Sequence, residues 1–166
     1  ALCKGEKMNN KIAFIVDSTT IVPEEFVQAF RYEQVSLHVM IEGKEERELD
    51  LKDEDIISRL ESTENLKSSS PSTGEFLLAL EKLFSEGYED IIIMTMSKEN
   101  STTYNVANMA IDSLDDDQKN HVYNVDTNIN NYGITNILIA LSYWRDKDIS
   151  GKDLAAKANI YCHNSH

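Results

Sequence analysis

The stretch from Asp90 to Ala110 constrains this fold more than any other. Ile91, Ile92, Ile93, Met94 and Met96 form a near-continuous apolar run. A run of that length predicts a strand buried on both faces, as in the middle of a parallel sheet. The character then changes to a polar loop of Ser97, Lys98, Glu99, Asn100, Ser101, Thr102 and Thr103. Val106, Ala107, Ala110, Ile111 and Leu114 follow at helical spacing. A strand that delivers serines and threonines to the start of a helix gathers hydroxyls and backbone N–H groups in one place, which outlines an anion site.

The rest of the chain repeats this alternation. Ile12 to Val16 predicts a strand ending in Asp17, Ser18, Thr19 and Thr20, followed by a helix that opens at Pro23 and carries Phe26, Val27 and Phe30. Val35 to Ile41 predicts a second strand. Gly43 predicts a turn before the charged run Lys44 to Glu48, and Asp50 with Asp53 predicts the start of a helix bearing Ile56, Ile57 and Leu60. A polar linker then leads to Lys67-Ser68-Ser69-Ser70-Pro71-Ser72-Thr73-Gly74. Ser72 or Thr73 caps a helix carrying Phe76, Leu77, Leu80, Leu83 and Phe84, and Gly87 stops it. His121 to Val125 predicts a fourth strand ending in Asp126 and Thr127. A helix on Ile134, Ile137, Leu138, Leu141 and Trp144 follows, then a short one over Leu154 to Ala158.

Strands alternating with helices predict an α/β fold, three layers α/β/α around a mainly parallel sheet of about four to five strands. Residues 1–10 read as a leader with Met8 as the natural start, 11–158 as the folded domain and 159–166 as a tail. Ligands of such sheets gather outside the carboxyl ends of the strands, which here carry Asp17 to Thr20, Ser97 to Thr103 and Asp126 to Asn128.

Charge and composition narrow the function. Asp and Glu total 29 against 16 Lys and Arg, a net charge of -13, which argues against nucleic acid and anionic membrane surfaces as partners. The same charge repels an anionic ligand at long range, so helix ends and nearby lysines must make any carboxylate site favourable locally. Cys3 and Cys162 lack metal-ligand spacing and fit a reducing cytoplasm. No apolar run reaches the ~18 residues of a membrane span, and the first seven residues carry no secretory signal.

No polar loop contains a histidine to activate a serine: His38 and His121 fall in strands, His163 and His166 at the chain end. Neither a phosphate-loop motif nor a dinucleotide fingerprint occurs. Asp17 at a strand end invites comparison with aspartyl-phosphate enzymes, yet Thr19 stands where their second acid belongs. What remains is a set of hydroxyls without a base. For any one serine, helix capping is the commoner role.

The order of motifs resembles the DegV family of fatty-acid-binding proteins, which present an acyl chain to a separate fatty acid kinase. The resemblance lies in Ile15-Val16-Asp17-Ser18-Thr19, in Lys67 through Phe76, in Met96-Ser97 with Ser101-Thr102-Thr103-Tyr104, and in Val125-Asp126-Thr127. The family's Thr-Ser-Gln-Pro-Ser loop corresponds to Ser68-Ser69-Ser70-Pro71-Ser72, and its Ser-Gly-Thr-Tyr turn to Ser101-Thr102-Thr103-Tyr104. Three departures stand out: Ser68 replaces Thr and keeps a donor, Ser70 replaces Gln and loses an amide, and Thr102 replaces Gly.

The resemblance implies a non-enzymatic, cytoplasmic carrier with no cofactor beyond a bound long-chain fatty acid. Ser68, Ser69, Ser101 and Thr102 would hold its carboxylate, with Asp17, Ser18, Asp126 and Thr127 at the same rim. It also implies a fatty acid kinase subunit as partner. Lys67 and Lys98 stand beside these loops, as solvated charges or as aids to the head group. Family members carry a second domain that encloses the acyl tail, so the chain reads as a first domain alone, whose groove self-association could cover. Two other classes remain open at this stage: a small-molecule phosphotransfer enzyme, because dihydroxyacetone kinases have a similar fold, and an acidic interaction module.

Overall fold

Strand β1 (Ile12–Asp17) is buried along its whole length, and its alternate side chains feed two separate cores. The computed structural model describes residues 8–41, 43–52, 54, 67–99, 101–129 and 131–164. In chain order the described elements are β1, α1 (Glu24–Ala29), β2 (Arg31–Val35), β3 (His38–Ile41), β4 (Lys44–Arg47), a 3-10 turn (Glu48–Asp50), β5 (Lys67–Ser69), α2 (Thr73–Ser85), β6 (Asp90–Met94), α3 (Thr103–Asp112), α4 (Asp116–Lys119), β7 (Val122–Val125), α5 (Asn131–Ser142) and α6 (Gly151–His163).

The main sheet has the order β2-β1-β6-β7 with every pairing parallel. Because side chains alternate along a strand, Ile12, Phe14 and Val16 pack with α1, α5 and α6, while Ala13 and Ile15 pack with α2 and α3. The result is the three-layer α/β/α architecture that the alternating pattern predicts. Phe14 anchors the first core, its ring 4.9 Å from that of Phe26 and 5.0 Å from that of Phe30. In β6, Ile91, Ile92, Ile93 and Met94 are fully buried, as the apolar run requires.

Several elements differ from the sequence reading. The predicted strand Val35 to Ile41 is two strands in two sheets. Val35 ends β2 of the main sheet, whereas His38 to Ile41 forms β3, the centre of a small antiparallel sheet ordered β4-β3-β5. The break falls at Ser36 and Leu37. There the Ser36 hydroxyl donates to the Leu37 carbonyl (2.9 Å) and accepts from the Leu49 amide (3.0 Å), which stabilises a change of direction. The polar linker expected before Pro71 ends as β5, with Ser68 opposite Val39 and Ser69 opposite His38. The helix expected on Ile56, Ile57 and Leu60 lies outside the described residues.

The last helix is longer than Leu154 to Ala158 and runs to His163, through part of the expected tail, because its buried face continues to Cys162. Ser150 caps it, accepting from the Asp153 amide at 3.1 Å. Gly151 is required by contact: a Cβ there would lie 2.3 Å from that of Asp90, whose carboxylate accepts the Gly151 amide at 3.1 Å. No helix of the described residues is long and apolar enough to cross a membrane.

Candidate functional site

The chain leaves β1 toward β2 on one side and returns through β6 on the other, so the carboxyl ends of β1 and β6 bound a topological switch point, where open α/β sheets bind ligands. Asp17 bridges this crevice. One carboxylate oxygen accepts the Met96 amide at 2.9 Å, and the other accepts the Thr19 amide at 2.9 Å together with the Thr19 hydroxyl. Fully buried and surrounded by its own donors, Asp17 ties the ends of the two central strands together and is not among the lining of the groove described below.

Ser18 builds the next layer outward. Its hydroxyl accepts the Leu37 amide at 2.9 Å and donates to the Glu48 carboxylate at 3.1 Å, fixing the junction from which the small sheet springs. Burial, with Asp17 nearby, pushes the Glu48 carboxyl above its ordinary value, against the pull of the Ser18 hydrogen bond. Thr127 is buried as well, its hydroxyl donating to the Thr95 carbonyl at 2.8 Å and so joining the ends of β7 and β6.

Outside these ties lies an open groove of about 570 Å³, lined by Ser68, Ser69 and Ser70 from one side, by Lys98, Glu99, Ser101, Thr102 and Asn105 from the other, and by Leu37. The two hydroxyl loops therefore face one cavity, although they are separated by α2 and β6 in sequence. Their hydroxyls form a chain. Ser101 and Thr103 are paired at 2.7 Å, the Thr103 hydroxyl donates to Ser70 at 3.4 Å, and Ser70 is hydrogen-bonded to Thr102. Ser101 also accepts the Thr103 amide at 3.2 Å.

Two of the three departures from the family motif, Ser70 and Thr102, thus touch each other. Thr102 sits at the N-cap of α3 with φ -80, a conformation open to any residue, and makes no side-chain cap because its hydroxyl turns across to Ser70. The loop that loses an amide at Ser70 regains a partner at Thr102.

The start of α2 is fixed by polar contacts too. Ser72 and Glu75 form a reciprocal capping box, and the Glu75 carboxylate also meets His38 (3.2 Å) and Arg47 (3.3 Å). Glu75 therefore fastens the small sheet, with its serines, to the helix that follows them.

On the opposite rim the Lys98 ammonium lies 2.9 Å from Asp126, and that hydrogen bond raises the lysine's pKa. The other Asp126 carboxylate oxygen is buried without a hydrogen-bond partner among the described residues. Of the eight residues singled out in the sequence, Ser68, Ser69, Ser101 and Thr102 line the groove. Asp17, Ser18 and Thr127 build its support, and Asp126 holds a lysine at its edge. Ser70, Thr103, Leu37 and Asn105 were not singled out. The signal for Thr103 was present, since a hydroxyl two residues after Ser101 can close a local turn onto it.

None of the groove's described lining residues is a histidine, and Glu99 is the one carboxylate among them. Burial pushes the Cys162 thiol up to about 11, with the charge of Asp126 adding to the effect, so it is a packed side chain and no nucleophile. Among the described residues no cluster of His, Cys, Asp and Glu could hold a metal ion. The side chain of Lys67 lies outside what is described.

Fold and groove together define a parallel α/β domain with a hydroxyl-lined cleft at its switch point. The chain belongs to the DegV family, whose model, described as an uncharacterised protein family, matches residues 11–166. A DegV domain-containing protein of Listeria innocua is 37% identical over 110 residues, covering 65% of this chain and 39% of that protein. A DegV lipid binding protein of Thermotoga maritima has a similar solved structure, with a TM-score of 0.76 and 25% identity over 93% of this chain and 55% of that one. A fatty-acid-binding DegV family protein of Thermus thermophilus gives 0.77 and 18% over 93% and 54%. The Streptococcus pneumoniae fatty acid kinase B3 protein loaded with linoleic acid gives 0.77 and 18% over 93% and 55%. The chain thus spans about half the length, or less, of these relatives.

Proposed function

We propose that this domain binds the ionised head group of a long-chain fatty acid, with Ser68, Ser69, Ser101 and Thr102 as its hydroxyl donors, and holds it for a partner kinase in the cytoplasm. The observation that carries this reading is the convergence of the two hydroxyl loops on one groove. The Thermotoga relative is described as a lipid binding protein and the Streptococcus relative was solved with linoleic acid, which gives the ligand class its support.

The division of labour follows from magnitudes. Each hydrogen bond to a charged head group contributes about 1.5–3 kcal/mol, whereas burying a sixteen-carbon tail would release roughly 12 kcal/mol gross at ~0.8 per methylene. Leu37 is the one aliphatic side chain among the groove's described lining residues, so this groove orients the head and a further apolar surface takes the tail. Thr102 and Thr103 open α3, whose N-terminal dipole adds positive potential at the head. In this reading the hydroxyls orient a carboxylate, and the phosphoryl transfer belongs to the partner.

The test is titration of decanoate, labelled with carbon-13 at its carboxyl, into the 166-residue chain. The carboxyl resonance should shift on binding, and the double variant Ser68→Ala, Ser101→Ala should lose about a hundredfold or more in affinity while keeping its thermal melt. Absence of a shift, or an unchanged affinity in the variant, contradicts the reading. Phosphate release from a small phosphoester by the chain alone would favour the phosphotransfer class instead.

A further inference from the structure

We infer that Lys98 sets the charge preference of the groove, supplying the cation that lets a strongly acidic protein accept an anionic head group, and that Asp126 positions it. This rests on the head-group reading and names a residue that selects an ionised carboxylate over a neutral head of the same size.

The need is electrostatic. The chain carries a net charge of -13, Glu99 lines the same groove, and Ser69 points a hydroxyl at Glu45 (3.4 Å). A carboxylate entering here meets negative charge, and hydroxyl dipoles orient it without cancelling that repulsion. Lys98 is the one cation among the described residues lining the groove.

Its placement suits the task. A lysine ammonium has three N–H donors. The Asp126 carboxylate oxygen at 2.9 Å engages one, which leaves donors for a ligand without breaking the pair. The lysine side chain is 54% exposed while that of Asp126 is 26% exposed, so the aspartate is the anchored partner and the lysine the adjustable one. Asp126 sits just past β7 and Lys98 in the loop after β6, and the pair holds the cation at the edge where Ser101 and Thr102 present their hydroxyls. The second Asp126 oxygen is buried with no hydrogen-bond partner among the described residues, so the contact with Lys98 is made through the other oxygen alone.

A purely structural role, in which the pair staples two loops together, makes different predictions. The discriminating experiment compares octanoate with 1-octanol, followed by amide shifts of Ser101, Thr102 and Thr103 in the full chain at low salt. Lys98→Met should weaken octanoate about fivefold and leave octanol unchanged, since one exposed ion pair is worth that much. Asp126→Asn keeps an oxygen to accept from Lys98 but removes the competing charge, so octanoate should bind more tightly, again with octanol unchanged. A staple would weaken both ligands alike in both variants, and an unchanged octanoate-to-octanol ratio in Lys98→Met overturns the inference while leaving the hydroxyl site standing. Wild-type chain that shows no shift with octanoate at these amides overturns the inference and the head-group reading together.

Discussion

The two sheets of this domain are held by different forces. The main sheet is fixed by carbon: β1 and β6 are buried on both faces, and Phe14, Phe26 and Phe30 interlock beneath them. The small sheet has strands of four, four and three residues with sequences such as KEER and KSS. Ile41 is its buried apolar residue, and among the described residues its side-chain ties to the rest and those at its junction include Leu37 to Ser18, Leu49 to Ser36, and His38 and Arg47 to Glu75. Side chains packed in a core cost several kilocalories per mole to disturb, whereas single polar ties cost about one. Half of the hydroxyl groove is thus mounted on a rigid layer and half on a layer that can yield locally.

Breaking the carbon layer should take everything with it. Phe14→Ala should cost about 3–5 kcal/mol in urea unfolding and remove the small sheet at the same transition, because a large cavity opens where three rings meet. Separate transitions for the two sheets in this variant would refute the dependence of one on the other.

Next in size is Asp17→Ala. It strands the Met96 and Thr19 amides at the switch point and should cost about 3 kcal/mol. A loss near zero would mean that water replaces the carboxylate and that the strand ends need no tie.

Glu75→Ala sharpens the comparison from the other side. Loss of the capping box and of the His38 and Arg47 contacts should lower stability by only about 1 kcal/mol. Hydrogen exchange should quicken at Val39 and Glu46 while Ile92 and Ile93 remain protected. Equal loss of protection in both sheets would contradict a small sheet that yields by itself.

The smallest effect concerns Glu48. Its pKa in the fold is raised above 4.5, chiefly by burial, so its contribution to stability is full below the ordinary value and is lost as pH rises through the raised one. Glu48→Gln can still accept from Ser18, and thermal melts should show it equal to wild type near about pH 3.5 and slightly more stable near about pH 7. A variant less stable at neutral pH would show that the ionised form is the one the fold favours.

The carbon-held layer was legible in the sequence and much of the polar layer was not. Ile91 to Met94, the helix beginning after Ser72 and the stop at Gly87 follow from periodicity and capping, which are local rules. Arg31 to Gln34 gives no strand signal because β2 is an edge strand whose Arg31 and Glu33 meet Glu86 and Lys82 across the surface. Val35, Leu37, Val39 and Ile41 alternate as one strand would, and the turn between the sheets depends on Ser18, which comes from elsewhere in the chain. The same limit applies to the site. Hydroxyl-rich loops announced Ser68 and Ser101, but that Asp17 would reach the Met96 amide, or Thr102 would reach Ser70, depends on contacts between segments far apart in sequence.

The most direct test is a crystal structure of the chain with decanoate bound. One carboxylate should lie within hydrogen-bonding distance, about 3 Å, of the hydroxyls of both Ser68 and Ser101, with its carbon chain leading away from Asp17. A ligand whose head group touches only one of the two loops, or sits outside the groove altogether, would contradict the account.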